Sequence, residues 1–179
     1  GHLYVMAEMR GQEIRLLALS PKTGELEWSQ QLAVVEQSVA ADGFRRNAGA
    51  TPSFADGVLV CPTSAGAVVG MDLTTRSLLW GYQYPRASQY ASERFINGRM
   101  TVYPGGDRRG SERWADATVT IVDGRVLVTP VETDQIYCLD LSDGRELWKQ
   151  PRGGSLYVGC VHRERAILVG RGGISALRI

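Results

Sequence analysis

The chain has 179 residues, of which 44% are hydrophobic and 22% are charged, and its formal net charge is +1. Twenty basic residues against nineteen acidic ones leave no strong field, which argues against nucleic-acid binding or electrostatic attachment to an anionic membrane. No apolar run reaches the ~20 residues that a membrane-spanning helix needs. The 21 glycines, beside few helical patterns, predict an all-β chain that is rich in turns.

The first half of the chain contains seven predicted strands in two repeat units, 1–47 and 48–84. Alternating apolar and polar residues, bounded by turn residues, predict strands at 3–9, 14–19, 25–32, 48–54, 58–62, 67–73 and 77–84. The connection at 34–47 is long enough to include a short helical turn.

The second half resumes this rhythm after an interruption. Segment 85–114 is polar and contains several arginines, so we expect an inserted loop with a small hairpin of its own over 94–103. Further strands are predicted at 118–122, 126–131, 155–161, 166–170 and 173–179, together with the two strands of a hairpin over 135–148. These strands form the units 115–150 and 151–179. The strands then fall into groups of three, four, four and three.

An eleven-residue hairpin occurs three times, at 18–28, 70–80 and 138–148, and its beginning recurs at 174–179. A small residue stands first, Ser or Asp third (Asp72 and Asp140 in two copies) and Trp eleventh. The seventh residue is Gly24 in the first copy and Gly144 in the third, where a turn can use the positive φ that glycine adopts without steric cost. Arg76 replaces glycine in the second copy. A constant unit with variable connections is typical of repeat architectures.

This pattern, small-x-Asp-x-x-Thr-Gly-x-x-x-Trp, resembles the tryptophan-docking motif of the β-propellers related to pyrroloquinoline quinone (PQQ) enzymes. That superfamily includes quinoprotein alcohol dehydrogenases and BamB-like assembly lipoproteins, and the resemblance covers nearly the whole chain outside 85–114. It implies that Trp28, Trp80 and Trp148 pack onto neighbouring blades. It also implies four-stranded antiparallel blades, about three and a half of them here. Closed propellers usually have four to eight, so we expect either further blades or a second copy of the chain to complete the ring.

The residues of the chain give little support to catalysis. For the dehydrogenases, the resemblance implies adjacent cysteines, a Trp floor and a Glu/Asn/Asp set that binds Ca²⁺. Here Cys61, Cys138 and Cys160 are far apart, no acidic cluster offers the 6–8 oxygens that calcium prefers, and His162 is isolated. We expect no catalytic residue, metal site or cofactor in this segment. Two alternatives stay open: a PQQ- and calcium-dependent dehydrogenase whose ligands lie in other blades, and a sensor domain of a larger protein.

The two long connections supply a candidate interaction surface. Recognition usually involves loops on a rigid scaffold, and arginine and aromatic residues are enriched at binding hot spots. The residues of these types are Arg45, Arg46, Tyr103, Arg108, Arg109, Arg113 and Trp114. The alternative is that these arginines are merely solvated. We therefore expect a non-catalytic scaffold that binds a protein or a glycan. The resemblance implies a periplasmic or otherwise extracytoplasmic location, although no signal peptide precedes Leu3.

Overall fold

The computed structural model describes residues 1–35, 38–41, 46, 49–85, 92–96, 99–103 and 114–179, excluding the side chains of 92–96 and 99–103. Those residues form sixteen β-strands: β1 (Leu3–Met9), β2 (Glu13–Leu19), β3 (Leu26–Val34), β4 (Ser53–Ala55), β5 (Val58–Pro62), β6 (Ala67–Asp72), β7 (Ser77–Gln83), β8 (Ser92–Ile96), β9 (Arg99–Tyr103), β10 (Thr120–Val122), β11 (Arg125–Val128), β12 (Gln135–Asp140), β13 (Glu146–Pro151), β14 (Ser155–His162), β15 (Arg165–Gly170) and β16 (Gly173–Arg178). One short 3₁₀ turn, Val39–Ala41, lies in the first connection. No helix in these ranges is long and apolar enough to span a membrane.

The strands form four antiparallel sheets with neighbours in chain order. Sheet 1 is β1–β3, sheet 2 is β4–β7, sheet 3 is β10–β13 and sheet 4 is β14–β16, while β8 and β9 make a separate hairpin. The predicted groups of three, four, four and three strands are therefore confirmed, as is the hairpin in the insertion. The fourth strand begins at Ser53 rather than at residue 48. Pro52 immediately precedes it, and proline has no N–H to donate to a strand ladder.

Three apolar clusters lie between successive sheets. Sheets 1 and 2 enclose Leu16, Leu59 and Met71. The cluster between sheets 2 and 3 includes Val68 and Val126. The cluster between sheets 3 and 4 is made of Trp114, Ala117, Leu127, Val131, Ile136, Cys138, Ala166 and Leu168. Each fully buried Val or Leu contributes about 1.5–3 kcal/mol, so the face-to-face stacking of the sheets holds the fold together.

The ends of the sheets define two faces, which we name by what lies there. The hairpin turns 20–24, 72–76 and 140–144 lie on the turn face, and in sheets 2 and 3 the turn that joins the first two strands lies beside the hairpin turn. In sheet 3, for example, Leu141 N donates to Gly124 O at 2.9 Å. On the connection face, the loops 63–66 and 129–134 contact the chain as it leaves each sheet. There Tyr84 N donates to Gly66 O at 3.0 Å and Arg152 N donates to Asp134 O at 2.7 Å. The inserted segment begins and ends on the connection face.

Candidate functional site: the docking tryptophans and the connection face

The seventh residue of all three hairpins has a left-handed backbone. Its φ is 74° at Gly24, 57° at Arg76 and 71° at Gly144. In the glycine-containing copies, Gly24 N donates to Ser20 O at 2.8 Å and Gly144 N donates to Asp140 O at 2.9 Å. The predicted turn is therefore present even where arginine replaces glycine, at the cost of ~1–2 kcal/mol for a residue with a Cβ in this conformation.

A β-bulge precedes each Trp by one residue. In sheet 2, Gly70 pairs with Trp80 but the next residue, Met71, pairs with Leu78, so Leu79 is left without a partner in the ladder. The same shift occurs opposite Ala18 in sheet 1 and Cys138 in sheet 3. A bulge bends the strand and re-aims the side chains beside it. The small first residue of each hairpin therefore lies directly across from the Trp.

The third hairpin residue caps its own turn. Asp72 Oδ1 accepts the N–H of Thr74 at 2.7 Å and that of Thr75 at 3.3 Å. Asp140 Oδ1 accepts the Ser142 hydroxyl at 2.6 Å and its N–H at 2.8 Å. Hydrogen bonds to a carboxylate favour its charged form, so these donors lower the pKa of both aspartates. Both are turn-forming residues on the surface.

Trp80 is the tryptophan with the most complete docking. Its indole N–H donates to Leu141 O in the next sheet at 2.9 Å. A Cβ on Gly144 would lie 2.5 Å from Trp80 Cε3, and one on Gly70 would lie 2.2 Å from Cε2. The ring therefore lies between the backbone of its own sheet and the hairpin turn of the next one. At both places only glycine leaves enough room.

Trp28 contacts the next sheet differently. Ala18, not glycine, lies opposite it. The guanidinium carbon of Arg76 lies over the Trp28 ring, 5.5 Å from its centroid, a cation–π distance. The Trp28 indole N–H is buried and has no hydrogen-bond partner among the described residues. Arg76 thus takes the place of the glycine that receives Trp80.

Trp148 is half-buried and packs against the cluster between sheets 3 and 4. Cys138 lies opposite it. The described part of sheet 4 has three strands and no fourth-strand hairpin turn. The three tryptophans thus lie in three different environments between successive sheets.

Tyrosines and glutamates connect sheets 2 and 3. The Tyr82 hydroxyl donates to Glu146, and the Tyr84 hydroxyl lies 3.3 Å from Glu132 Oε2. Both rings pack on Tyr137, with centroids 5.7 and 5.8 Å away. Burial first, and then the neighbouring carboxylates, raise the pKa of Tyr82 and Tyr84 above the usual value of 10. These phenols stay protonated and act as donors between the sheets.

Buried aromatic residues hold both ends of the inserted segment. Tyr84 is buried where the segment leaves sheet 2, and Trp114 is 2% exposed where it returns. The Trp114 indole donates to Gln135 O at 2.8 Å, and the next residue, Ala115, donates its N–H to Leu156 O at 2.8 Å. Our assignment of Trp114 to the interaction surface is therefore corrected. Its ring fills the cluster between sheets 3 and 4 and cannot contact a partner.

The structure describes only some of the other candidate surface residues. Arg46 is exposed. Tyr103 is the last residue of β9, but its side chain is outside the description. Arg45, Arg108, Arg109 and Arg113 lie outside the described residues. The surface proposed from these residues stays a prediction.

Cysteines and possible metal ligands are dispersed among the described residues. No three His, Cys, Asp or Glu side chains in these ranges come together where they could hold a metal ion. Cys61 and Cys138 are buried and Cys160 is exposed, and all three are free thiols. Burial raises the pKa of Cys61 to about 12 and that of Cys138 to about 11, so neither is a thiolate at neutral pH. Cys138 is a packing residue, as its place in the repeat predicts.

Several solved structures share this arrangement of sheets. BamB from Moraxella catarrhalis is 14% identical, with a TM-score of 0.52, over 97% of this chain and 49% of that one. A europium-containing methanol dehydrogenase is 15% identical, with a TM-score of 0.51, over 84% of this chain and 23% of that one. The computationally designed Ika4 protein is 13% identical, with a TM-score of 0.53, over 98% of this chain and 85% of that one. No curated protein matches the chain.

The stacked sheets, with tryptophans docked between them, are part of a β-propeller of the PQQ-like class. A family model described as outer membrane protein assembly factor BamB matches residues 1–103. The chain belongs to that family. It spans about half the length of the Moraxella BamB. Any function of the whole propeller is therefore a proposal.

Proposed function

We propose that the chain belongs to a non-catalytic, extracytoplasmic scaffold, and that its connection face binds a protein or a glycan through the inserted segment 85–114. The observation that carries this proposal is the anchoring of both ends of the segment. The Tyr84 hydroxyl lies 3.3 Å from Glu132 at one end, and the Trp114 indole donates to Gln135 O at 2.8 Å at the other. A loop presented from a rigid base loses less conformational entropy on binding. The family description, an assembly factor of the outer membrane, supports a periplasmic scaffold.

The test replaces residues 86–113 with a short Gly-Ser linker and keeps Tyr84 and Trp114. We expect far-UV circular dichroism to be nearly unchanged, because both anchors remain. Co-purification from an envelope fraction, quantified by mass spectrometry, and a glycan array should both be run on the parent chain and the variant. Loss of the bound species in the variant supports the proposal, and retention of every one of them contradicts it. Leu79→Asp is the matched control, because Leu79 is exposed on an outer strand away from the connection face.

A quinoprotein dehydrogenase is the competing proposal, favoured by the fold that the chain shares with a methanol dehydrogenase. The described residues bring together no acidic set for calcium, so any such site would need residues from elsewhere. Dye-linked alcohol oxidation after addition of PQQ and Ca²⁺ decides between the two proposals. Turnover would overturn the non-catalytic role.

A further inference from the structure

The interface between sheets 1 and 2 lacks the hydrogen bond that ties sheet 2 to sheet 3. Trp80 donates its indole N–H to the carbonyl of Leu141, the fourth residue of the third hairpin, at 2.9 Å. Leu73 is the fourth residue of the second hairpin, and it packs in the same cluster as Trp28. The Trp28 indole N–H is nevertheless buried without a hydrogen-bond partner among the described residues. A buried donor without an acceptor costs free energy, so this interface has not reached the arrangement of its neighbour.

Two side chains keep Trp28 from docking as Trp80 does. A Cβ on Gly70 would lie 2.2 Å from the ring of Trp80, and one on Gly144 would lie 2.5 Å from it. Ala18 and Arg76 hold the corresponding places around Trp28, as the first residue of its own hairpin and the seventh residue of the next one. Both have a Cβ. Neither place can therefore receive an indole ring as closely as glycine does.

Arg76 gives Trp28 a contact that tolerates movement. The guanidinium carbon lies 5.5 Å from the centroid of the ring, and Arg76 is exposed. A cation over an aromatic ring is attracted to the whole ring face, and the long side chain of arginine has many rotamers. The guanidinium can therefore follow the ring when it shifts. The hydrogen bond of Trp80, by contrast, weakens steeply when its angle changes.

The first connection is attached to sheet 1. Val35 N donates to Gln12 O at 2.9 Å, and Val39 N donates to Glu8 Oε2 at 2.6 Å. Glu8 lies in β1, and Gln12 lies in the turn between β1 and β2. The inserted segment, in contrast, is anchored to sheets 2, 3 and 4. A shift of sheet 1 would therefore move the first connection relative to the inserted segment.

We propose that sheet 1 slides against sheet 2 and carries the first connection with it, because Ala18 and Arg76 hold Trp28 out of the docked position that Trp80 occupies. Such a movement is a shear, in which packed elements slide past each other by small amounts. The observations that carry it all come from the side of sheet 1 that faces sheet 2, where both partners are described. The movement takes place inside the stack, so it does not depend on what the connection face binds.

The indole N–H groups report this movement by NMR. Labelling with ¹⁵N-tryptophan gives one indole signal for each of the four tryptophans, and Trp28→Phe and Trp80→Phe assign two of them. In the chain 1–179, we expect the N–H of Trp28 to exchange with solvent roughly 10-fold faster than that of Trp80, because only the latter is hydrogen-bonded. Relaxation dispersion should show microsecond-to-millisecond motion at the Trp28 indole and at the Val39 amide, and none at Trp80. Equal protection of the two indoles, or flat dispersion at Trp28, would overturn the proposal.

A double variant, Ala18→Gly with Arg76→Gly, tests the cause of the movement. It gives Trp28 both of the glycines that surround Trp80, so we expect its indole exchange to slow by roughly 10-fold and the dispersion to disappear. The variant should fold, because glycine already stands at each of these places in another hairpin. Arg145→Gly is the matched control, since it removes another exposed arginine from a hairpin turn and leaves both places around Trp28 unchanged. If the double variant keeps the fast exchange, or if the control slows it equally, the proposal is wrong.

Discussion

The contact between Trp80 and the turn of sheet 3 can be tested with one methyl group. Gly144→Ala adds a Cβ that would lie 2.5 Å from Trp80 Cε3. Gly24 holds the same place in the first hairpin and has nearly the same φ, 74° against 71°, but nothing lies within 4 Å of its Cβ position. Gly24→Ala is therefore a control that shares the backbone strain and lacks the clash.

The structure gives the size of the expected difference. Alanine in a left-handed turn costs ~1–2 kcal/mol relative to the right-handed conformation, and the same term applies to both variants. Extra atoms forced into a filled interior cost a further ~1–3 kcal/mol. We expect Gly24→Ala to lower the free energy of unfolding by about 1–2 kcal/mol and Gly144→Ala to lower it by about 2–5 kcal/mol.

Urea unfolding followed by far-UV circular dichroism measures both values. The slope against denaturant should stay unchanged, so that the midpoint alone reports stability. For a chain of this length, each 1 kcal/mol also lowers Tm by roughly 2–4 °C. If the two variants lose the same free energy of unfolding, within about 0.5 kcal/mol, the claim that Trp80 packs tightly against Gly144 is refuted.

Three further predictions follow from hydrogen bonds and pKa shifts. Trp80→Phe leaves Leu141 O without its donor and should cost about 1–3 kcal/mol more than Trp28→Phe, whose indole N–H has no partner among the described residues; urea unfolding compares the two. The hydrogen bonds that lower the pKa of Asp140 stabilise the fold at pH values above the unfolded-state pKa of about 3.9. This stabilisation is lost as pH falls through the folded-state pKa. Asp140→Asn should therefore flatten the acid limb of a stability–pH curve. The raised pKa of Tyr84 gives the opposite pH dependence. Its contribution to stability is present below the unfolded-state pKa of ~10 and is lost as pH rises through the folded-state pKa. Tyr84→Phe should reduce the alkaline loss.

The repeat made the fold predictable from the sequence. Three aligned hairpins located the tryptophans, the turns and the grouping of strands, because a feature that recurs at equivalent positions can be compared between copies. Even Arg76 fits the pattern. Its φ of 57° lies in the same left-handed region as that of Gly24 and Gly144, and its side chain packs on the ring of Trp28. The bulge before each Trp was missed, since it changes the pairing of residues without leaving a mark in the hydrophobic pattern.

Residues outside the repeat could not be placed in the same way. Trp114 lies at the end of the insertion and has no counterpart in another unit. The polar, arginine-rich composition of the insertion therefore predicts that Trp114 is a surface residue. Its burial depends on Gln135 O and on sheet 4, partners that are distant in sequence. Tyr82 and Tyr84 are two residues apart, and both pack in the cluster between sheets 2 and 3. Their carboxylate partners, Glu146 and Glu132, come from the next unit and have no local signal.

The different environments of the three tryptophans predict that rigidity differs along the stack of sheets. Trp80 reaches its place because Gly70, opposite it, has no Cβ; Ala18 and Cys138 both have one, so Trp28 and Trp148 cannot lie equally close. The interface between sheets 2 and 3 also has the tyrosine–glutamate contacts. We therefore expect the slowest amide exchange in β6 and β12, the central strands that meet there.

Hydrogen exchange measured strand by strand tests this gradient. We expect exchange in β2 and β15, the central strands of sheets 1 and 4, to be faster than in β6 and β12, because local opening needs less free energy where fewer contacts must break. β6 and β12 lie in the two sheets that have a described neighbour on both sides. Uniform protection across all four sheets at low concentration would contradict the graded docking, because sheets with less completely docked tryptophans should open more readily than the pair that encloses Trp80.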